Sequence, residues 1–240
     1  NMDTEQFETL RERIRLAANE ELLGRFNRVR IGFKADGSVV TEADLAMQER
    51  LQQELGALFP EYGFLAEEME KAQQQRQLAS STRGLWVLDP LDGSSNFAMG
   101  IPYFSVSLAL LQQGVVQLGI VYDPVRGECF YCGSGAGAWL NDQRLGGTPS
   151  QVPMEKSIAL IDFKRLQPEL AQRLATTPPY ASQRSFGSVA LDFCWLAAGR
   201  VHLYLHGRHN LWDYAAGLSI LQHAGGRAIT LEGEQNAPLD

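Results

Sequence analysis

Apolar residues recur every three or four positions from Thr4 to about Phe26, at Phe7, Leu10, Ile14, Ala17, Leu22 and Phe26, with charged residues between them. That period predicts one amphipathic helix with a buried stripe and a solvated face. Gly32 to Ser38 reads as a polar connector. Thr41-Glu42-Ala43-Asp44 has the form of an N-cap followed by an acid at the third helical position, and predicts a helix carried on by Leu51, Leu55 and Leu58 and stopped by Pro60. Glu70 to Thr82, rich in Gln, Lys, Arg and Ser, reads as a mobile surface stretch. Leu85 to Leu88 reads as a short buried strand running into Asp89.

The pattern then changes. Phe104 to Leu111, Val115 to Tyr122 and Glu128 to Cys132 are strand-like runs separated by Gln112-Gln113-Gly114 and Asp123-Pro124-Val125-Arg126-Gly127, which predicts an antiparallel meander. After Pro149 a strand is expected near Ile158 to Ile161, helices from Pro168 and from Ser188 to Gly199, and a strand from Val201 to Leu205. A last helix starts at Asp213 and is stopped by Gly225-Gly226. The whole is an α+β layered plan without an internal repeat.

Composition narrows the class. The chain has 240 residues, 45% apolar and 20% charged, enough for a sizeable core. We read residues 1–240 as a single domain, with a metal-binding α+β part to about residue 147 and a C-terminal α/β part from 148. The most apolar stretch, around Phe104 to Leu111, is interrupted by Ser105 and Ser107, and no basic leader precedes an apolar run, so the expectation is a cytoplasmic protein without a membrane partner. A net charge of −7 and an isoelectric point near 5.2 argue against a nucleic-acid polymer as partner, yet leave room for a small phosphate held through a cation. Cys129, Cys132 and Cys194 are an odd set, and the first two, three apart on a strand, face opposite ways; a structural role is expected. Gly133 to Gly137 follows a meander and opens no helix, which excludes a dinucleotide loop.

The chemistry concentrates in Trp86-Val87-Leu88-Asp89-Pro90-Leu91-Asp92-Gly93-Ser94-Ser95-Asn96-Phe97. A buried strand delivers two carboxylates at its exit, and Gly93 with two serines follows where a helix can begin. Carboxylate oxygens are hard ligands suited to Mg²⁺, and N–H groups at a helix start suit a phosphate. Asp89 and Asp92 also make sense as turn or cap residues, since Asp-Pro and Asp-Gly are turn dipeptides. A phospho-aspartate mechanism fits poorly, because its two aspartates are one residue apart and here Pro90 and Leu91 intervene.

The run Asp89-Pro90-Leu91-Asp92-Gly93-Ser94-Ser95-Asn96-Phe97 resembles the metal-binding signature of the inositol monophosphatase family. Three further segments match that family in order. Lys34 to Asp44 is similar to its K-x-D-x-S-P-V-T-x-A-D, with Val39 for proline; Ala66-Glu67-Glu68 is similar to its G-E-E; Trp212-Asp213-Tyr214-Ala215-Ala216-Gly217 matches its W-D-x-A-A-G. The resemblance implies the layered αβαβα sandwich of the inositol monophosphatase and fructose-1,6-bisphosphatase type. It also implies two or three Mg²⁺ per site, lithium sensitivity and a homodimer.

By position, the resemblance implies that Glu67, Asp89 and the Leu91 carbonyl hold one Mg²⁺, and that Asp89, Asp92 and Asp213 hold a second. Asp44 and Ser94 would orient and deprotonate the attacking water, with no covalent enzyme intermediate. Gly93, Ser94, Ser95, Gly187, Ser188, Val189 and His206 would line the substrate side, Ser188 having helix capping as an equally simple explanation. His206 stands where many relatives carry a glutamate, and the chain after Gly226 is shorter than the family usually has. The function implied is Mg²⁺-dependent hydrolysis of a small phosphate ester, inositol 1-phosphate-like or another sugar-alcohol phosphate. The alternatives are a 3′(2′),5′-bisphosphate nucleotidase or histidinol-phosphatase-like activity and, from another class, a non-catalytic phosphoester-binding relative.

Overall fold

The protein is described by a computed structural model covering residues 2–30, 37–67, 69–80, 83–133, 135–146 and 151–231. Lys34 to Asp36, Glu68 and the segment after residue 231 therefore lie outside the described residues.

Helix α1 (Thr4–Ala18) starts from a capping box in which Asp3 and Gln6 each take the other's backbone N–H, at 2.8 and 3.0 Å. A single π turn (Asn19–Leu23) joins it to α2 (Gly24–Arg30), and the expected stripe from Phe7 to Phe26 is buried throughout. Helix α3 spans Gly37–Leu58. Thr41 is thus not its N-cap, and Asp44 lies about two turns inside it. The reason is the spacing of Val39, Ala43, Met47, Leu51 and Leu55, all buried, which makes a four-residue stripe that pulls the first turns onto the core.

Strand β1 (Gly63–Ala66) is followed by a helix the sequence reading missed, α4 (Lys71–Ser80). It buries no residue of its own. Instead Gln77 accepts the Phe64 N–H at 3.0 Å, and Gln74 donates to the Ala66 and Met69 carbonyls at 3.0 Å, so polar side chains satisfy the open edge of β1. An apolar period could not reveal such a helix, because none is needed.

The main sheet has seven strands in chain order. Strand β2 (Leu85–Asp92) pairs in parallel with β1; β3 (Ser105–Gln112), β4 (Val115–Asp123), β5 (Glu128–Gly133), β6 (Gly135–Leu140) and β7 (Gln143–Leu145) follow antiparallel, the last two beyond the expected meander. A short helix, α5 (Ser94–Ala98), sits between β2 and β3. The second sheet is parallel, with β8 (Ile158–Asp162) between β9 (Ser182–Arg184) and β10 (Leu203–His206).

Three apolar cores order the layers. Helices α1 to α3 cover one face of the large sheet, and α7 (Val189–Ala197) and α8 (Leu211–His223) fill the space on its other face. The small sheet lies beyond them, with α6 (Pro168–Thr176) outside it, which completes an αβαβα sandwich. Cys129 and Cys132 face different cores, and all three thiols are free and buried. Among the described residues no helix is long and apolar enough to cross a membrane.

Candidate active site

Strands β1 and β2 run in parallel with Ala66 beside Leu88, so Glu67 and Asp89 each follow the last residue of that pairing, at its carboxyl end. Residues three apart on a regular strand point to opposite faces. Here the β2–β3 register slips, with Asp89 opposite Ser107 and Asp92 opposite Ser105, and the extra residue turns the second carboxylate back toward the first. Pro90 has no N–H to lose from the interrupted ladder, and the Leu91 N–H is taken by Asp89 Oδ1 at 3.1 Å.

Asp213 reaches the same place from α8, at the third position of a capping box in which its carboxylate accepts the Asn210 N–H at 3.0 Å. One carboxylate oxygen from each of Asp89, Asp92 and Asp213 lies within 4.8 Å of the others. Asp89 is pushed well above the usual carboxylate range, first by burial and then by the charges of Asp92, Glu67, Asp213 and Asp44. Three acids from two elements therefore meet, with the charges of Glu67 and Asp44 felt at Asp89. At 4.8 Å a like-charged pair among Asp89, Asp92 and Asp213 costs about 3.5 kcal/mol at an effective dielectric near 20.

Asp92 is the best supported of them. Its Oδ2 accepts the Ser188 hydroxyl at 2.6 Å and the Ala190 N–H at the start of α7 at 2.8 Å. Burial raises it to about 6, and these two donors restrain the rise. Ser188 is fully buried beneath Asp92, shares contact with Ser105 at 3.3 Å and caps α7, so the structure places it behind a carboxylate rather than on the substrate side. Val189 is half-buried against the middle core. Gly187 is exposed.

Gly93 holds the turn between the acids and α5. Its φ is +93°, and an added Cβ would stand 3.0 Å from the Tyr103 carbonyl oxygen and 3.3 Å from that of Gly187. Asn96 ties the same parts together by donating to the carbonyls of Tyr103 at 2.8 Å and Phe186 at 2.7 Å. Asn96 was visible within the motif, but nothing local announced that one of its partners, Phe186, lies 90 residues along the chain. Ser94 and Ser95 remain exposed at the start of α5.

His206 is placed on β10 beside Asp162, its register partner on β8. Its Nδ1 accepts the Arg208 N–H at 3.1 Å and its Nε2 meets Asp162 Oδ2 at 3.0 Å. Burial keeps it below its usual pKa. His209 stacks on it with ring centres 4.0 Å apart, and burial pushes His209 down to about 3. Neither histidine joins the acidic cluster as a ligand among the described residues.

All the converging donors are oxygens, and their charges repel one another in a buried setting. That set fits a hard divalent cation and is costly without one.

The profile of the inositol monophosphatase family matches residues 3–240. The chain is 30% identical over 227 residues to an inositol-1-monophosphatase of Mesorhizobium japonicum, covering 89% of this chain and 80% of that protein. It is 34% identical over 205 residues to the Nus factor SuhB of Pasteurella multocida, covering 83% and 74%. Its fold is similar to the crystal structure of inositol monophosphatase-II from Staphylococcus aureus, with a TM-score of 0.81 and 25% identity over 98% of this chain and 86% of that one.

Proposed function

The chain belongs to the inositol monophosphatase family, whose members are phosphatases, and from that premise we propose that it is a Mg²⁺-dependent phosphomonoesterase acting on a small sugar-alcohol phosphate. The observation that carries the reading is the convergence of Asp89, Asp92 and Asp213, with Glu67 and Asp44 close enough to press on Asp89. Glu67, Asp89 and the Leu91 carbonyl would hold one Mg²⁺, and Asp89, Asp92 and Asp213 a second. Bound there, the ions neutralise the carboxylates and draw electron density from the phosphoryl oxygens.

The remaining work falls to the chain's own groups. Asp44 and Ser94 orient a water in line with the scissile P–O bond, and Asp44 accepts its proton as the new P–O bond forms. The alkoxide of the leaving group departs on the side of Asp213 and picks up a proton from solvent. Gly93 and Ser95 would border the phosphate where the α5 backbone begins, with Gly187 across from Gly93. A negative pocket does not by itself attract a phosphate, so cations held there would contribute to substrate binding.

The test is phosphate release from inositol 1-phosphate, glycerol 2-phosphate, p-nitrophenyl phosphate, a 3′,5′-bisphosphonucleoside and histidinol phosphate, with Mg²⁺ and with a chelator. Release from polyol phosphates that needs Mg²⁺ and is lost in Asp213→Asn supports the reading. Release that survives chelation, or none from any ester, overturns it. Preference for the bisphosphonucleoside overturns the substrate class alone.

A further inference from the structure

We propose that Tyr103 and Asp192 are positioning residues for phosphoryl transfer: their hydrogen bond closes a circuit of contacts that holds the turn from Gly93 to Asn96 in place against Asp92. This rests on the phosphatase reading above and adds to it two residues outside the acidic cluster.

The circuit starts at Asp92 and its chain neighbour Gly93. On one side, Asp92 Oδ2 accepts the Ser188 hydroxyl at 2.6 Å and the Ala190 N–H at 2.8 Å, which fastens the carboxylate to the first turn of α7. On the other side, the turn packs on the segment that leads into β3. Asn96 donates to the Tyr103 carbonyl at 2.8 Å, and the same oxygen stands 3.0 Å from where a Gly93 Cβ would be. The two sides meet in one side-chain bond. The Tyr103 hydroxyl donates to Asp192 Oδ1 at 2.8 Å, and Asp192 lies one turn after Ser188, whose carbonyl accepts its N–H at 2.9 Å. Asn96 also donates to the Phe186 carbonyl, but that tie reaches the chain ahead of α7, whereas the Tyr103 hydroxyl reaches the helix itself.

The bond is shielded and has one direction. Tyr103 and Asp192 are both buried, so water does not compete for either group. The Tyr103 ring lies against Phe186 at 5.2 Å and Trp195 at 5.3 Å between centres, and Trp195 is on α7 one turn after Asp192. Packing alone would be served by a phenylalanine here. Burying a hydroxyl and a carboxyl together returns little net stability, because both must leave water first. What the pair adds is a fixed distance between the entry to β3 and the body of α7. Phosphoryl transfer depends on such distances, since a misplacement of about 1 Å can cost about a hundredfold in rate.

The experiment measures kcat and KM for p-nitrophenyl phosphate at saturating Mg²⁺, in the full chain and at a temperature where circular dichroism shows each variant folded. Asp192→Ala is expected to lower kcat about ten- to a hundredfold with KM changed by less than about threefold, because the ester still binds and only its alignment is lost. Asp192→Asn offers the Tyr103 hydroxyl an equivalent oxygen and should return kcat to within about threefold of wild type. Tyr103→Phe keeps the ring packing, removes the bond from its other end and should match the alanine variant, which covers the event that the latter fails to fold. A folded Asp192→Ala or Tyr103→Phe variant with kcat within about twofold of wild type overturns the assignment even if it melts lower, and so does an asparagine variant as slow as the alanine one. The phosphatase reading stands in either case. If wild type releases phosphate from no ester, that reading fails and this one falls with it.

Discussion

Ser188 donates its hydroxyl to Asp92 Oδ2 at 2.6 Å from the first cap of α7, across 96 residues of sequence. With the Ala190 N–H on the same oxygen, the bond fixes the direction in which the Asp92 carboxylate points.

Ser188→Ala should therefore weaken Mg²⁺ binding about ten- to a hundredfold, as loss of an outer partner of a metal ligand commonly does. Ser188→Thr keeps the hydroxyl and should restore most of the affinity. Calorimetric titration with Mg²⁺ reads this directly, and equal affinity in wild type and the alanine variant would remove Ser188 from the ion's support.

Asp89 is buried among like charges, so its ionised form burdens the fold when no cation is present. Asp89→Asn should raise the melting temperature in a chelator by about 2 °C or more, since a kcal/mol is worth a few degrees in a chain of this size. It should also abolish the upward shift expected of the wild type on adding Mg²⁺. A variant that melts lower than wild type under chelation contradicts the electrostatic account.

Asp192 is a second buried acid, held by the Tyr103 hydroxyl at 2.8 Å and raised to about 8, chiefly by burial. The unfolded chain loses this proton near the ordinary carboxylate value and the folded chain keeps it to about 8. The resulting stability is present at low pH and is lost as pH rises through that window, by up to about 1.4 kcal/mol per pH unit. Urea unfolding of Asp192→Asn between pH 5 and 8 should show a flatter dependence than wild type, and an unchanged slope would mean the group is ionised throughout.

Gly93 should not tolerate a side chain. At φ +93°, with the Tyr103 and Gly187 carbonyls close to any Cβ, Gly93→Ala is expected to cost about 1–3 kcal/mol of stability. Because the same turn separates Asp92 from Ser94, phosphatase activity should fall further than the folded fraction does. Denaturant curves and activity on one preparation separate the two effects.

The apolar stripe of α1, the β3 to β5 meander and the buried exit strand at Leu85 were legible because each follows from a short-range period that burial enforces. The candidate ligands were legible for a different reason: Asp89, Asp92 and Asp213 each sit in an unusual local string of turn and helix-start residues. Helix α4 was not, since it is held by Gln74 and Gln77 on the edge of β1 rather than by an apolar face. The start of α3 was misjudged at Thr41 because a local cap signal lost to the packing of Val39 and Ala43.

By itself, then, the sequence determined the residue types of the site and the elements that carry them, since both are written in neighbours a few positions apart. Only the tertiary structure decided which way those side chains point. The bulge that turns Asp92 toward Asp89, the Ser188 hydroxyl beneath it, and the Asp162 carboxylate that engages His206 all depend on register between strands and contacts across 44 to 96 residues. Such pairings form when layers pack, and no local pattern specifies them.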